Sequence, residues 1–512
     1  MKNKNFLDNP NVFISMSENC SYPSAPFSPP EIYPELKKLD YKIKPNPKNK
    51  IYEKVRETLA GLGLDKKNYG KTNWNPLKEL VKQGDHIVIK PNLVRAQHPL
   101  GYNPQCMISH ASIIRPIIDY ILLATEGKCK ITICDVPLQQ SKWDILMKVS
   151  GLDKLQEYYK SQGISIEILD LRKEISIEDK NGVIIDRAIK DRDPKGYAAV
   201  NLGKKSMLMP IMDSYKKFEI TDYGKGTVPI HHNPEKNEYC IAKTILDADV
   251  FINIPKLKTH RKAGMTAALK NLIGMNGDKR WLAHHRRGAL NEGGDEYRSL
   301  HNVNQALLLF QWRTFAMIKR NKLLLPLASL LKLVFHRIIP LLTKMIKRTK
   351  IKSNSNQDTN EVKKIDADLA ALSEGSWYGN DTLWRVILDL NRALLYSDKE
   401  GKMQNIPQRK YLSIVDGIIA GEKEGPIEPT PKETGIIIGG FNPVTVDYTC
   451  AEVMGFDWEK IPTIKNSFGI KEWKIYKGNQ KSINLISKDI KKIHDFKFCP
   501  SQGWIGHIEK DD

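Results

Sequence analysis

The sequence predicts an α/β fold: an open, mostly parallel sheet domain plus a second, smaller α/β unit, with a helical insertion, basic and apolar, between them. Two observations lead there. From Gly84 onward short apolar runs alternate with segments of helical spacing, and the alternation resumes after Asp358. Between Ser299 and Gln357 the pattern changes, and in that tract no Asp or Glu occurs. The predicted boundaries are an N-terminal extension over 1–75, an α/β domain over 76–298, the insertion over 299–357, the second α/β unit over 358–475 and a tail over 476–512.

The extension is rich in Pro, Asn, Ser and Lys and holds one helical stretch, IYEKVRETLAGLGLD, which ends on glycines. GDHIVIKPNLV is a short apolar strand broken by Pro91, ASIIRPIIDYILLAT a helix and CKITICDVP a second strand, together a β-α-β unit with parallel strands. WDILMKVSGLDKLQEYYKS leads as helix to the strand ISIEILDL. From Lys173 to Asn237 the alternation is broken, with turns at Gly196, Gly224 and Gly226, and an antiparallel excursion is expected. VFINIP is a later strand and GMTAALKNLIG a helix stopped by Gly274. Past the insertion, TLWRVILDLNRALLY is a helix, RKYLSIVDGIIAG a strand into a turn, TGIIIGG a strand and PVTVDYTCAEVMG a helix stopped by Gly455.

In the insertion, basic residues from Arg313 to Lys352 flank and punctuate LLLPLASLLKLVFHRIIPLL. The tract is long enough to span a bilayer, but Lys332 and Arg337 near its middle would each cost about 2.5–3.5 kcal/mol there, and Pro326 and Pro340 disturb a helix further. A helix lying in the interface of an anionic membrane surface is expected instead, the alternative being a helical pair packed on the body.

Composition narrows the classes. With 41% hydrophobic residues in 512 the chain is too apolar for intrinsic disorder, and Lys+Arg 80 against Asp+Glu 59 gives +21, a charge that attracts acidic partners. The cysteines, Cys20, Cys106, Cys129, Cys134, Cys240, Cys450 and Cys499, are scattered and form no C-x-x-C, which argues against a disulfide framework or a zinc ribbon. No secretory h-region opens the chain, so a cytoplasmic protein is expected. The absence of a Walker sequence, of G-x-G-x-x-G and of G-x-S-x-G speaks against an NTPase, a dinucleotide enzyme and a serine hydrolase.

Chemistry-bearing residues gather at strand ends, where open α/β sheets bind ligands. After VFINIP come Lys256, Lys258, His260, Arg261 and Lys262, with Lys256 and Lys258 on one face of an extended chain and Leu257 on the other. Lys270 and Asn271 follow and are expected to turn back to the same anion. Pro91 leaves Lys90 and Asn92 at another strand tip, and His110 stands where a helix starts, with Ser112 as its expected cap. Asp135, Asp416 and Glu424 lie at further strand ends, and Asp447 opens or interrupts a helix. The adjacent pairs His231–His232 and His284–His285 would need other ligands from elsewhere to hold a metal.

IVIKPNLV, ADVFINIPKLKTH, GMTAALKNLIG, LDLNRALLYSDKEG, IVDGIIAGEKEGP and NPVTVDYTCAEVMGFD, taken in order, resemble the domain of unknown function 362 family over Gly84 to Gly469. The resemblance implies a fold more than a reaction. Some relatives carry ferredoxin-type clusters; this chain lacks the cysteines, so no iron–sulfur cluster is expected. PKLKTHRKAGMTAALKNLIG is also similar to the segment of nickel-pincer lactate racemases in which a histidine and a glycine-rich turn with lysine help hold the cofactor, which would make His260 and Lys270 cofactor or metal contacts. The GFSGG pattern of those enzymes is missing, since Met265 and Thr266 follow Gly264.

The combined expectation is a membrane-peripheral α/β enzyme acting on an anionic substrate, phosphorylated, carboxylated or lipid-linked, by acid/base or metal-assisted isomerisation-type chemistry. Lys90, Asn92, Lys256, Lys258, Lys270 and Asn271 would bind the anion, and His260 or His110 would move protons. Asp416 and Asp447 would bind a divalent metal or position the lysines. Two other readings remain. One is a non-catalytic binder of nucleic acid or another anionic polymer, which charge favours but the lack of aromatics interleaved with the basic run does not. The other is a redox protein like the iron–sulfur relatives, which the scattered cysteines disfavour.

Overall fold

The computed structural model describes residues 6–18, 21–178, 184–221, 223, 226–298, 374–487 and 496–510. The predicted insertion over 299–357 lies outside them. The first half carries β1 (Asn11–Met16), α1 (Lys50–Gly61), β2 (His86–Pro91), α2 (Ala111–Thr125), β3 (Lys130–Asp135), α3 (Trp143–Ser150), α4 (Leu152–Ser161) and β4 (Glu167–Asp170). There follow β5 (Glu174–Glu178), β6 (Ile184–Ile189), β7 (Tyr197–Asn201), β8 (Phe218–Glu219), α5 (Val228–His231), β9 (His232–Asn233), β10 (Lys236–Ala242) and α6 (Lys243–Leu246). Then come β11 (Val250–Ile254), β12 (Lys256–His260), β13 (Gly264–Thr266), α7 (Ala268–Asn271) and β14 (His285–Arg286). The last are α8 (Leu383–Tyr396), β15 (Lys410–Glu424), β16 (Glu428–Gly440), α9 (Pro443–Met454), α10 (Pro462–Ser467) and β17 (Asn484–Ser487).

A ten-stranded sheet runs in the order β17–β1–β16–β15–β11–β2–β3–β4, with β12 paired to β15 and β13 to β12. Strands β15, β11, β2, β3 and β4 are mutually parallel, whereas β16 runs antiparallel to both β1 and β15. The mixed α/β class with a large, mostly parallel sheet is therefore the observed one. Strands from either side of the undescribed insertion share this sheet, because β15 pairs directly with β11.

The central strands are buried on both faces, and their two-residue period divides the core. Ile87, Ile89, Val250, Ile252, Leu412 and Ile414 pack on one side with α1 and α2; Val88, Phe251 and Tyr411 pack on the other with α8. Four elements differ from the expected ones. The helix over 143–161 divides at Gly151, whose φ of +76° a right-handed helix does not accommodate. GMTAALKNLIG is the strand β13, the short helix α7 and the start of a 3-10 turn over Leu272–Met275, rather than one helix, because β13 pairs with β12. The strand at RKYLSIVDGIIAG does not end at its glycine but runs 15 residues, paired with β16 from Ser413 to Glu424 with a shift in register between Gly417 and Ile419. Strands β1 and β17, from the extension and the tail, pair in parallel at the sheet edge, a role that their weakly patterned sequences do not announce. The excursion after Lys173 is antiparallel, as β5 with β6 and as β10 with β7 and β9.

One buried carboxylate ties the extension to the body. Asp119 of α2 accepts hydrogen bonds from the hydroxyls of Tyr41 at 2.5 Å, Tyr52 at 2.8 Å and Tyr159 at 2.5 Å, and from Arg115 Nε at 3.0 Å. Every lone pair is thereby used, which is what allows a charge at full burial.

Candidate anion-binding site at the strand ends

The chain leaves β11 through Pro255 and stays extended as β12, which pairs in parallel with β15 and antiparallel with β13. Lys256 and Lys258 therefore share a face, and Leu257 packs opposite with Val415 and Ala420. All of β12 is buried, so these lysines are not a solvated loop.

Their partners differ in kind. Lys256 Nζ lies 3.1 Å from Asp416 Oδ1 and donates to the Tyr22 hydroxyl at 2.6 Å, and that hydroxyl donates to the same carboxylate oxygen at 2.6 Å. The backbone N–H of His110 holds the other oxygen at 3.0 Å. Lys258 Nζ donates instead to Asn92 Oδ1 at 2.8 Å and to the carbonyl of Met107 at 2.5 Å, with no carboxylate among the described residues. Burial, together with the charges of Lys270 and Lys256, pushes its ammonium well below the usual lysine range.

Asn92 links Lys258 to the next strand end. Its amide donates to Asn271 Oδ1 at 2.9 Å, and that oxygen also accepts from Lys90 Nζ at 3.3 Å. Lys90, fully buried at the end of β2, pairs with Asp135 at the end of β3, 2.7 Å away. Asp135 also accepts the N–H of Leu93 at 2.6 Å and of Val136 at 2.8 Å. Gly274 passes so close to this pair that a Cβ there would stand 2.3 Å from Asp135 Oδ1 and 2.6 Å from Lys90 Nζ.

Lys270 of α7 is only partly buried, and its ammonium has no hydrogen bond or ion pair among the described residues. Burial and the neighbouring charges of Lys262 and Lys90 bring it down to about 7. Lys279 is brought to about 7, by burial first, with Lys90 and Lys270 pressing it down and Asp135 holding it up. His260 and His284 are both held well below the usual imidazole range, by burial and then by Lys270 or Lys262. Both are neutral near pH 7, and their hydrogen bonds fix opposite tautomers. His260 Nδ1 accepts the N–H of Lys262 at 3.0 Å and so carries its proton on Nε2; His284 Nδ1 donates to the Leu282 carbonyl at 3.3 Å and leaves Nε2 as an acceptor. Lys262 reaches Glu374 at 3.2 Å.

Lys90, Asn92, Lys258, His260, Lys270 and Asn271 are thus brought together. Lys256 sits beside them but is already paired. At the start of α2 the Nδ1 of His110 accepts the N–H of Ser112 at 3.3 Å, so the histidine, not the expected Ser112, caps the helix, and burial holds it at about 3. Asp447 of α9 accepts the N–H groups of Ala268 at 2.6 Å and Leu269 at 3.2 Å, anchoring α7, and burial raises it to about 8. Asp416 and Asp447 each have their own partners and share none, and among the described residues no group of three His, Cys, Asp or Glu is arranged to hold a metal ion. Within the described residues Asp416 is ion-paired with Lys256 and Asp447 holds the backbone of α7. Tyr22 and Lys279 were missed by sequence reasoning. Nothing local marks either; Tyr22 acts across 394 positions of chain.

Among the described residues no helix is long and apolar enough to cross a membrane. No curated protein matches the chain. A family model described as "Domain of unknown function (DUF362)" matches residues 167–452, a stretch that includes Lys256, Lys258, His260, Lys270, Asn271, Asp416 and Asp447, while Lys90, Asn92 and His110 precede it. That match spans more than half of the chain, which therefore belongs to the DUF362 family.

Proposed function

We propose that the chain is an enzyme that binds a small phosphorylated or carboxylated anion at the ends of β2, β11 and β12. Lys258 and Lys270 hold the anion, and His260 and His284 move protons. The carrying observation is the charge imbalance: Lys258 and Lys270 have no carboxylate among the described residues, while burial and neighbouring cations both press for loss of their protons. Such a cluster is unfavourable without a countercharge, and an anion supplies it. Neutral imidazoles of opposite tautomer beside the cluster favour proton transfer over simple storage of the ligand.

Titration calorimetry of the full chain with inorganic phosphate and with pyruvate tests this. One or both anions should bind with uptake of protons, and binding should weaken as pH rises through about 7, where Lys270 loses its charge. Lys270→Met should weaken binding by about 10- to 150-fold, the loss of one charge-assisted hydrogen bond. It should not lower the thermal midpoint. A folded-state value of about 7, below the unfolded value of about 10.4, means that Lys270 opposes folding at neutral pH and that this opposition fades as pH rises between those values. If neither anion binds, the reading fails.

We propose further that the tract over 299–357, basic and free of acidic residues, holds the chain on an anionic membrane surface. Each nearby Lys or Arg contributes about 1 kcal/mol there, so several together suffice for salt-sensitive attachment. Intact protein should co-sediment with liposomes containing phosphatidylserine and not with neutral ones, and deletion of Lys322 to Lys347 should abolish this. Equal sedimentation with both kinds of liposome would refute it.

A further inference from the structure

Thr266 carries a buried hydroxyl that no described residue satisfies. Strand pairing fixes its place: in the antiparallel pair of β12 and β13, Thr266 stands directly opposite Lys258. Side chains so paired leave the same face of the sheet, with Cβ atoms about 4.5–5.5 Å apart. Met265, the residue before it, packs on the other face with Leu257, and Gly264, opposite His260, adds no side chain. The face that carries Lys258 and, two residues on, His260 therefore receives one side chain from β13, that of Thr266.

On its other flank Lys258 is closed. Its partner on β15 is Gly421, where a Cβ would stand 2.8 Å from the Cys106 carbonyl. The chain that passes there supplies the Met107 carbonyl, which with Asn92 Oδ1 takes two of the three positions on Lys258 Nζ. The third position has no partner among the described residues. The Nε2–H of His260 has none either, because the hydrogen bond of that ring is made at Nδ1. Three buried groups on one sheet face thus remain open to a ligand, and a buried hydroxyl left unpaired costs stability.

We infer that the anion of this site is a phosphoryl group and that Thr266 is one of its ligands, beside Lys258 and His260. This rests on the anion site proposed above and assigns its chemical class. The three groups rise from a triangle of backbone positions: Lys258 and His260 lie about 7 Å apart along β12, and Thr266 lies across from Lys258 on β13. A tetrahedral phosphoryl group offers three oxygens in a triangle. A carboxylate offers two oxygens in one plane and leaves one of the three groups unpaired. Sites that bury a polar group for the ligand to satisfy reject ligands that do not reach it.

The test is titration calorimetry of the full chain with inorganic phosphate and with pyruvate, on the wild type, Thr266→Val and Thr266→Ser, beside thermal denaturation without anion. Phosphate should bind the wild type at least about tenfold more tightly than pyruvate. The isosteric Thr266→Val should weaken phosphate binding by about tenfold and change pyruvate binding by less than about twofold, and Thr266→Ser should restore the phosphate affinity. Without anion, the thermal midpoint of Thr266→Val should hold or rise, since the hydroxyl removed has no partner. A lowered midpoint, or phosphate binding equal to that of the wild type, overturns the role of Thr266. Pyruvate binding as tight as phosphate binding overturns the phosphoryl class. Each of these leaves the anion site standing, whereas a wild type that binds neither anion overturns the site and this inference together.

Discussion

Asp119→Ala should unfold the protein far more readily than any surface change, with an expected loss of about 3–5 kcal/mol. The substitution leaves Arg115 charged in a fully buried position and strips the hydroxyls of Tyr41, Tyr52 and Tyr159 of their shared acceptor. Two of those tyrosines come from the extension, so its docking on α2 should loosen first. Chemical denaturation reads the total, and hydrogen exchange at α1 reads the order of events. A loss below about 1 kcal/mol, the scale of one ordinary hydrogen bond, would show that the carboxylate is not the organising charge.

Asp416→Ala should cost a similar amount, because Lys256 would remain at full burial with only the Tyr22 hydroxyl as partner. The neighbouring lysine should behave oppositely. Lys258→Met removes a buried cation that has no carboxylate, so the thermal midpoint should hold or rise while anion binding is lost. Combining Asp416→Leu with Lys256→Met should recover much of the loss from Asp416→Ala, since an apolar pair of similar volume is tolerated where half an ion pair is not. Equal responses of Lys256→Met and Lys258→Met, in stability and in binding, would contradict the division of labour between them. Thermal denaturation beside calorimetry separates the cases.

That division marks the limit of what the linear pattern conveys. The class of fold, the strands β2, β3 and β11, the helices α1, α2, α8 and α9, and the basic run after Pro255 are legible because each depends on a two- or 3.6-residue period, or on composition within a short window. The common face of Lys256 and Lys258 follows from the same local rule. Which of them is neutralised does not. Asp416 comes to Lys256 from β15, Tyr22 from the extension, Asn92 to Lys258 from the end of β2, and the carboxylates that the sequence offers as metal ligands are taken by an ammonium and by the backbone of α7. Strands β1 and β17 show the same dependence, since a short edge strand is defined by the neighbour it pairs with rather than by its own residues. The sequence by itself thus determined the sheet's central strands and the supply of positive charge at their ends. Only the tertiary structure decided which charges remain without a countercharge, because an ion pair forms between groups that the fold brings within a few ångströms, and Coulomb energy and desolvation depend on that distance and burial and not on separation along the chain.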